Sequence, residues 1–399
     1  MLIEPNRIAG MVAFRSERRC TSQRLAHARW GELVAGVCPT GTESETFELF
    51  FVRLRERASR GEGNEFREFA RATTCVAEYL VISVTVTYRF STMEGTTAMT
   101  STLSRNDVLE PEDVSARLLD SAAQLSYDPS EEVDWEADLD PSLYGLNPEW
   151  STLYGTKLWD EMSEVQRITL TRHEVCSIMS TGIWFEMILQ QMVLRDQYCK
   201  DSSGSDFQFA LTEIADECRH SIMFARACQK MGIKAYLPRR SSIELGRGFK
   251  ALASAEIAYG GILVAEEVLD VMQRDWMRGE NVLPLVRTTS KIHVVEESRH
   301  MTFARAQMRE DIAGKSPARR KASALVVAIA ARLIVSNMVN KEVYAAAGLD
   351  VDRAVKEAKN NAHHHTMMRT SSEHLMAFLL DCGLVTKPAE MIYRRLHML

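Results

Sequence analysis

The sequence predicts an all-α protein, a bundle of long helices, on three observations. From Leu158 to the C-terminal end, apolar residues recur with helical period almost without pause. Gly and Pro cut that run into segments, several of them well past the mean helix length of about 12 residues. Two of the long segments carry Glu-x-x-His, at Glu217 with His220 and at Glu297 with His300.

Taken in order, residues 1 to 98 stand apart. They hold thirteen Arg, no Lys and no Asp, keep no period for long, and read as an irregular N-terminal extension. LVISVTVTYRF at 80 to 90 has strand-forming content but no turn-linked partner. Met93 or Met99 is the expected natural start, because Asp and an amphipathic helix pattern appear only after it; the intact mass of natively expressed protein tests this. Residues 99 to 156 form a wrapping segment: a short helix over 107 to 126 on Val114, Leu118, Leu119 and Leu125, then a loop rich in Asp, Pro and Gly. Residues 157 to 399 form the helical domain, with helices expected at roughly 161 to 199, 206 to 231, 248 to 278, 282 to 313, 318 to 346, 350 to 361, 366 to 382 and 387 to 396.

Composition excludes several classes. With 399 residues, 46% apolar, 26% charged and a net charge of −6, the chain lacks the basic face of a nucleic-acid binder. Eight scattered cysteines without a C-x-x-C pair fit a reducing cytoplasm. No apolar run reaches the about 18 residues of a membrane span; ALVVAIAARLIV at 324 to 335 is short and carries Arg332. No P-loop, Rossmann glycine pattern or nucleophile elbow is present.

The chemistry concentrates in HVVEESRH, residues 293 to 300. At about 100° per helical residue, His293, Glu297 and His300 fall within roughly a 60° sector and face one point. A Glu-x-x-His from each of two helices, completed by a Glu from each of two others, makes a dinuclear carboxylate site. Counting back equally from Glu217 and Glu297 (217 − 186 = 297 − 266) gives Glu186 and Glu266, both in apolar surroundings where an ionised carboxylate needs a compensating cation. Glu267 competes with Glu266 for its place, and Glu174 with Glu186. Four carboxylates balance two divalent cations, three imidazoles add neutral nitrogen donors, and this mixture suits iron or manganese better than zinc. Asp216 and Glu296, each preceding a ligand Glu, are expected to accept the second N–H of a ligating imidazole, with Arg219 and Arg299 pairing to them. Cys218 is expected in the core, as is the stripe of Met179, Trp184, Phe185, Met187 and Met192. His363, His364 and His365 read as an exposed helix end, and His173 and His374 as core or supporting groups.

The two [DE]-E-x-R-H segments resemble those of ferritin-like non-haem di-iron oxygenases and acyl-carrier desaturases. The added His293 resembles in particular the AurF-type arylamine N-oxygenases, over about residues 140 to 315. That resemblance implies a ferritin-like bundle with two irons on Glu186, Glu217, His220, Glu266, His293, Glu297 and His300. It further implies O2 as co-substrate, a small-molecule substrate, free or carrier-bound, an external electron donor, and monooxygenation of an amine. An acyl hydroxylase or desaturase and an iron-oxidising storage protein are the rival functions. A homodimer is expected; the Ala-rich helix after 318, apolar over much of its circumference, reads equally as its interface or as an internal core helix.

Overall fold

The computed structural model describes residues 111–399, and helix follows helix throughout. Among these residues the only β contact is an isolated parallel bridge between Tyr144 and Val282. The expectations for residues 1 to 98 and the proposed start codons lie outside the described residues.

Four long helices build the core: α4 (Glu164–Gln197), α5 (Ser205–Lys230), α7 (Ala255–Trp276) and α8 (Pro284–Ala313). α4 packs on α5 and α7 on α8, and α8 also meets α5 while α7 meets α4. This is the ferritin-like arrangement expected. α4 opens on a capping box, with Ser163 Oγ accepting from the Gln166 N–H and Gln166 Oε1 accepting from the Ser163 N–H at 3.1 Å. α8 opens on Pro284, whose missing N–H is no loss at a first helical turn. α7 is buried almost all round, enclosed by other helices, and it is also packed by α9 (Pro317–Val335) and α12 (Ala362–Asp381).

The chain ahead of α4 supplies α1 (Pro111–Gln124), against α5 and α8, the short α2 (Pro129–Glu132) and α3 (Lys157–Glu161). Between α2 and α3 it lies directly on the core helices. A Cβ on Gly145 would stand 2.4 Å from the Arg172 Cα of α4, so only glycine allows that approach. Trp150 Nε1 donates to Asp275 of α7 at 2.8 Å, and the Tyr144 N–H donates to the Asn281 carbonyl at 2.8 Å.

Several expected elements are corrected. The helix foreseen over 248 to 278 is two: α6 (Arg240–Leu252) and α7, parted at Ala253 and Ser254. Gly246, which weakens the helical signal of α6, is there for packing, since a Cβ would come within 2.8 Å of Trp184 and 2.9 Å of Ile188. The helix foreseen over 318 to 346 ends at Val335 and resumes as α10 (Glu342–Ala346). The turn between is tied to α4: Thr181 and Ser177 donate to the carbonyls of Asn337 and Met338 at 2.8 and 3.0 Å. α11 (Val351–Lys359), α12 and α13 (Lys387–Arg395) complete the chain. α9 packs on α7 and α13 and buries Ala324, Val327, Ala328 and Ala331 between them, as a core helix would.

Individual residues also differ. Met179 and Met192 are buried, but Met187 is exposed, Trp184 and Phe185 are half-buried, and Cys218 is exposed. His363, His364 and His365 open α12 rather than end a helix, and are half-buried under the Asn361 cap. His173 pairs with Tyr236 Oη at 2.6 Å, whereas His374 is exposed.

Candidate metal centre

The four core helices bring the seven sequence-derived candidates to one buried place. α4 contributes Glu186, α5 Glu217 and His220, α7 Glu266, and α8 His293, Glu297 and His300; none is more than 4% exposed. Three overlapping trios have donor atoms within 4.8 Å of one another: Glu186, His220 and His293; Glu217, His220 and Glu297; Glu266, His293 and Glu297. Among the described residues these are the only such clusters. Helical spacing accounts for the local part. Glu217 and Glu297 stand one turn from their own histidines, with His220 Nδ1 at 3.5 Å from Glu217 and His300 Nδ1 at 3.1 Å from Glu297.

Glu217 and Glu297 are shared by both halves. His220 Nδ1 lies 3.3 Å from Glu297, and His300 Nδ1 lies 3.1 Å from Glu217. His293 turns Nε2 inward, 3.6 Å from Glu297, 3.9 Å from Glu186 and 4.0 Å from Glu266. The competing carboxylates are occupied elsewhere. Glu267 holds Arg305 bidentately at 2.7 and 2.6 Å, and Glu174 accepts from the backbone N–H and hydroxyl of Thr152 at 2.9 and 2.6 Å.

Outside the inner ring the bracing is crossed. His220 Nε2 meets Glu296 of α8 at 2.7 Å, and His300 Nε2 meets Asp216 of α5 at 3.2 Å. Each of these carboxylates orients its imidazole through Nε2 so that Nδ1 points at the inner carboxylates, where it would be offered to a cation. Arg219 pairs with Asp216, and Arg299 lies 3.7 Å from Asp216 and 3.9 Å from Glu296. The wrapping segment reaches in as well: the Tyr127 N–H donates to Glu296 at 3.0 Å. His293 has no such brace, and its Nδ1 is buried without a hydrogen bond.

The donor set fits metal. Both oxygens of Glu217, Glu297 Oε2 and His220 Nδ1 are buried without a hydrogen-bond partner, a costly state unless a cation sits among them. Burial and neighbouring carboxylates push Glu186 and Glu266 well above the usual carboxylate range. Burial alone would lower His220 and His300, yet the acids around them hold both well above an ordinary imidazole. In the metal-free protein, then, protons supply the positive charge that divalent cations would replace. Burial takes His293 the other way, down to about 4, leaving a neutral imidazole.

Two residues here escaped the sequence reading. Ser221 donates to Glu186; it merely follows His220 and gave no signal. Glu213 is fully buried one turn before Glu217, both its oxygens lack a partner, and burial first, then Glu217, Glu297 and Asp216, push its carboxyl up to about 8. Its i, i+4 relation to Glu217 placed it on the same face and was the available clue.

Comparison with known proteins agrees with this geometry. The chain is 25% identical over 207 residues to uncharacterised proteins of Mycobacterium bovis and Mycobacterium tuberculosis, covering 49% of this chain and 59% of theirs. It thus spans about three-fifths of the length of those curated relatives. The family model described as P-aminobenzoate N-oxygenase AurF matches residues 109–383, a span that holds all seven clustered side chains and both crossed braces. The chain belongs to the AurF family of di-iron oxygenases.

Proposed function

We propose that the protein binds two iron ions through Glu186, Glu217, His220, Glu266, His293, Glu297 and His300 and oxygenates the nitrogen of an arylamine. Manganese is the alternative metal. The observation that supports this most is His293, a third imidazole turned into a ring otherwise made of two Glu-x-x-His pairs and two further carboxylates. Bound iron would supply the binding and reduction of O2. One oxygen atom enters the substrate, and the other leaves as water with two electrons from an external donor and two protons.

The chain's own residues hold and shield. Glu217 and Glu297 lie between the two halves and can be shared by two cations. Glu296 and Asp216 keep His220 and His300 oriented. Phe224 lies beside His293, ring centroids 5.0 Å apart, and gives this edge of the acidic cluster an aromatic contact that an aromatic substrate could extend. The substrate arrives free or on a carrier, and the protein works in the cytoplasm.

The test is to load the full chain anaerobically with Fe(II), measure bound iron, and admit labelled O2 with and without p-aminobenzoate. About two irons per chain and label in the amine nitrogen's product support the proposal. Two irons with oxygen entering an acyl chain, or with no organic product, assign the centre to one of the rival functions. His293→Ala is expected to lose or redirect oxygenation; a variant with full turnover and undiminished iron would remove His293 from the ligand set.

A further inference from the structure

Three sulfur atoms gather where α4 and α5 lie side by side, away from the acidic cluster. Cys176 comes from α4, Cys228 from the last turn of α5, and Met231 closes that helix. Cys176 Sγ lies 3.9 Å from Met231 Sδ, and Cys228 Sγ lies 3.8 Å from the Cys176 carbonyl oxygen. The two thiols also meet each other, and that contact holds Cys228 below and Cys176 above an ordinary thiol. Both cysteines are buried, whereas Met231 and Tyr236 are half-buried and open the place toward solvent.

The backbone fixes this arrangement. Cys228 and Met231, three residues apart, share one side of the helix. Gly232, at φ 69°, turns the chain back, and the Ile233 N–H donates to the Cys228 carbonyl at 3.1 Å, a helix end that keeps Met231 beside the thiols. On the α4 side, Ser180 Oγ donates to the Cys176 carbonyl at 2.7 Å and accepts from the Tyr236 N–H at 3.1 Å. A buried free cysteine ordinarily serves as a small apolar side chain. Two of them in contact, with a thioether alongside, make a donor set of sulfur alone, the kind that selects a soft cation.

We propose that Cys176, Cys228 and Met231 form a second metal site, for Cu(I). A metal bonded at about 2.3 Å to each of three sulfurs in a trigonal set holds them about 4 Å apart, the separation already present between Cys176 and Met231. Cu(I) replaces both thiol protons, which pass to solvent, and nothing is oxidised. The site stands about 15 Å along α4 from Glu186 and borrows none of the carboxylates or imidazoles of the acidic cluster, which suit harder cations.

Anaerobic titration of the full chain with Cu(I) against the chelator bicinchoninate tests the site. Wild type is expected to hold about one Cu(I) that Cys176→Ser and Cys228→Ser each release. Met231→Leu should weaken it by about tenfold, the scale of a supporting contact at a metal. Cys199→Ser with Cys218→Ser, which removes two exposed thiols, should leave it unchanged. X-ray absorption at the copper edge reads the wild-type chain directly, without relying on the folding of any variant, and should find three sulfur neighbours at about 2.3 Å. Copper that survives either serine variant, copper surrounded by nitrogen or oxygen, or a wild-type chain that yields all its copper to the chelator would overturn the proposal.

Discussion

A single proton position divides the buried acids of this molecule into kinds. Glu174 has one oxygen satisfied by Thr152 and the other bare, and burial pushes it up to about 7. Its folded value lies above the unfolded one near 4.5, so its stabilising, protonated form is intact below about pH 4.5 and is lost as pH rises through about 7. Chemical denaturation at pH 5 and pH 8.5 should show wild type losing stability by up to roughly 3 kcal/mol that Glu174→Gln does not lose; parallel pH profiles would refute it. Glu296→Gln, which replaces the carboxylate on His220 Nε2, is expected to weaken iron binding about 10- to 100-fold without unfolding the bundle, as read by metal titration. The clustered side chains could be picked out in advance because helical spacing is a local rule. Which of two adjacent carboxylates faces inward could not, for the choice between Glu266 and Glu267 depends on Arg305, a partner 38 residues away. Cys218 and Met187 were misplaced for a related reason: an apolar side chain announces a contact without saying with whom.

At the scale of elements, glycine carried the ambiguity. The helix expected from 248 in fact begins at Arg240, and Gly246 within it is where α6 presses on Trp184 and Ile188. Sequence pattern cannot tell a glycine that ends a helix from one that lets a helix approach its neighbour. Gly145 is the sharper case. Its missing side chain lies against the Arg172 backbone, which cannot move without shifting α4 itself. Gly145→Ala is therefore expected to cost about 2 to 3 kcal/mol, visible as a lowered denaturation midpoint, and an unchanged midpoint would mean that the wrapping segment does not hold α4. The long core helices were legible because their apolar faces repeat over many turns. The division of 318 to 346 was hidden, because its cause lies in hydroxyls on α4.

For the molecule as a whole, metal is expected to act as a structural element. Cations that displace protons from His220, His300, Glu186 and Glu266 bind more weakly as pH falls. Calorimetry in buffers of different ionisation enthalpy should register proton release on Fe(II) binding, and none would contradict the protonated cluster. Iron at about a thousand times its dissociation constant adds roughly 4 kcal/mol, so chelation should lower the melting temperature by on the order of 10 °C. The crossed bracing has a bearing on how the molecule is made. His220 is held by a carboxylate 76 positions later in the chain, and the reverse brace on His300 spans 84. At synthesis rates of about 5 to 20 residues per second, the first histidine emerges several seconds ahead of the acid that orients it. A nascent chain halted between α5 and α8 holds half a nest with no lock, so metal loading at the cluster would be an event of the finished polypeptide.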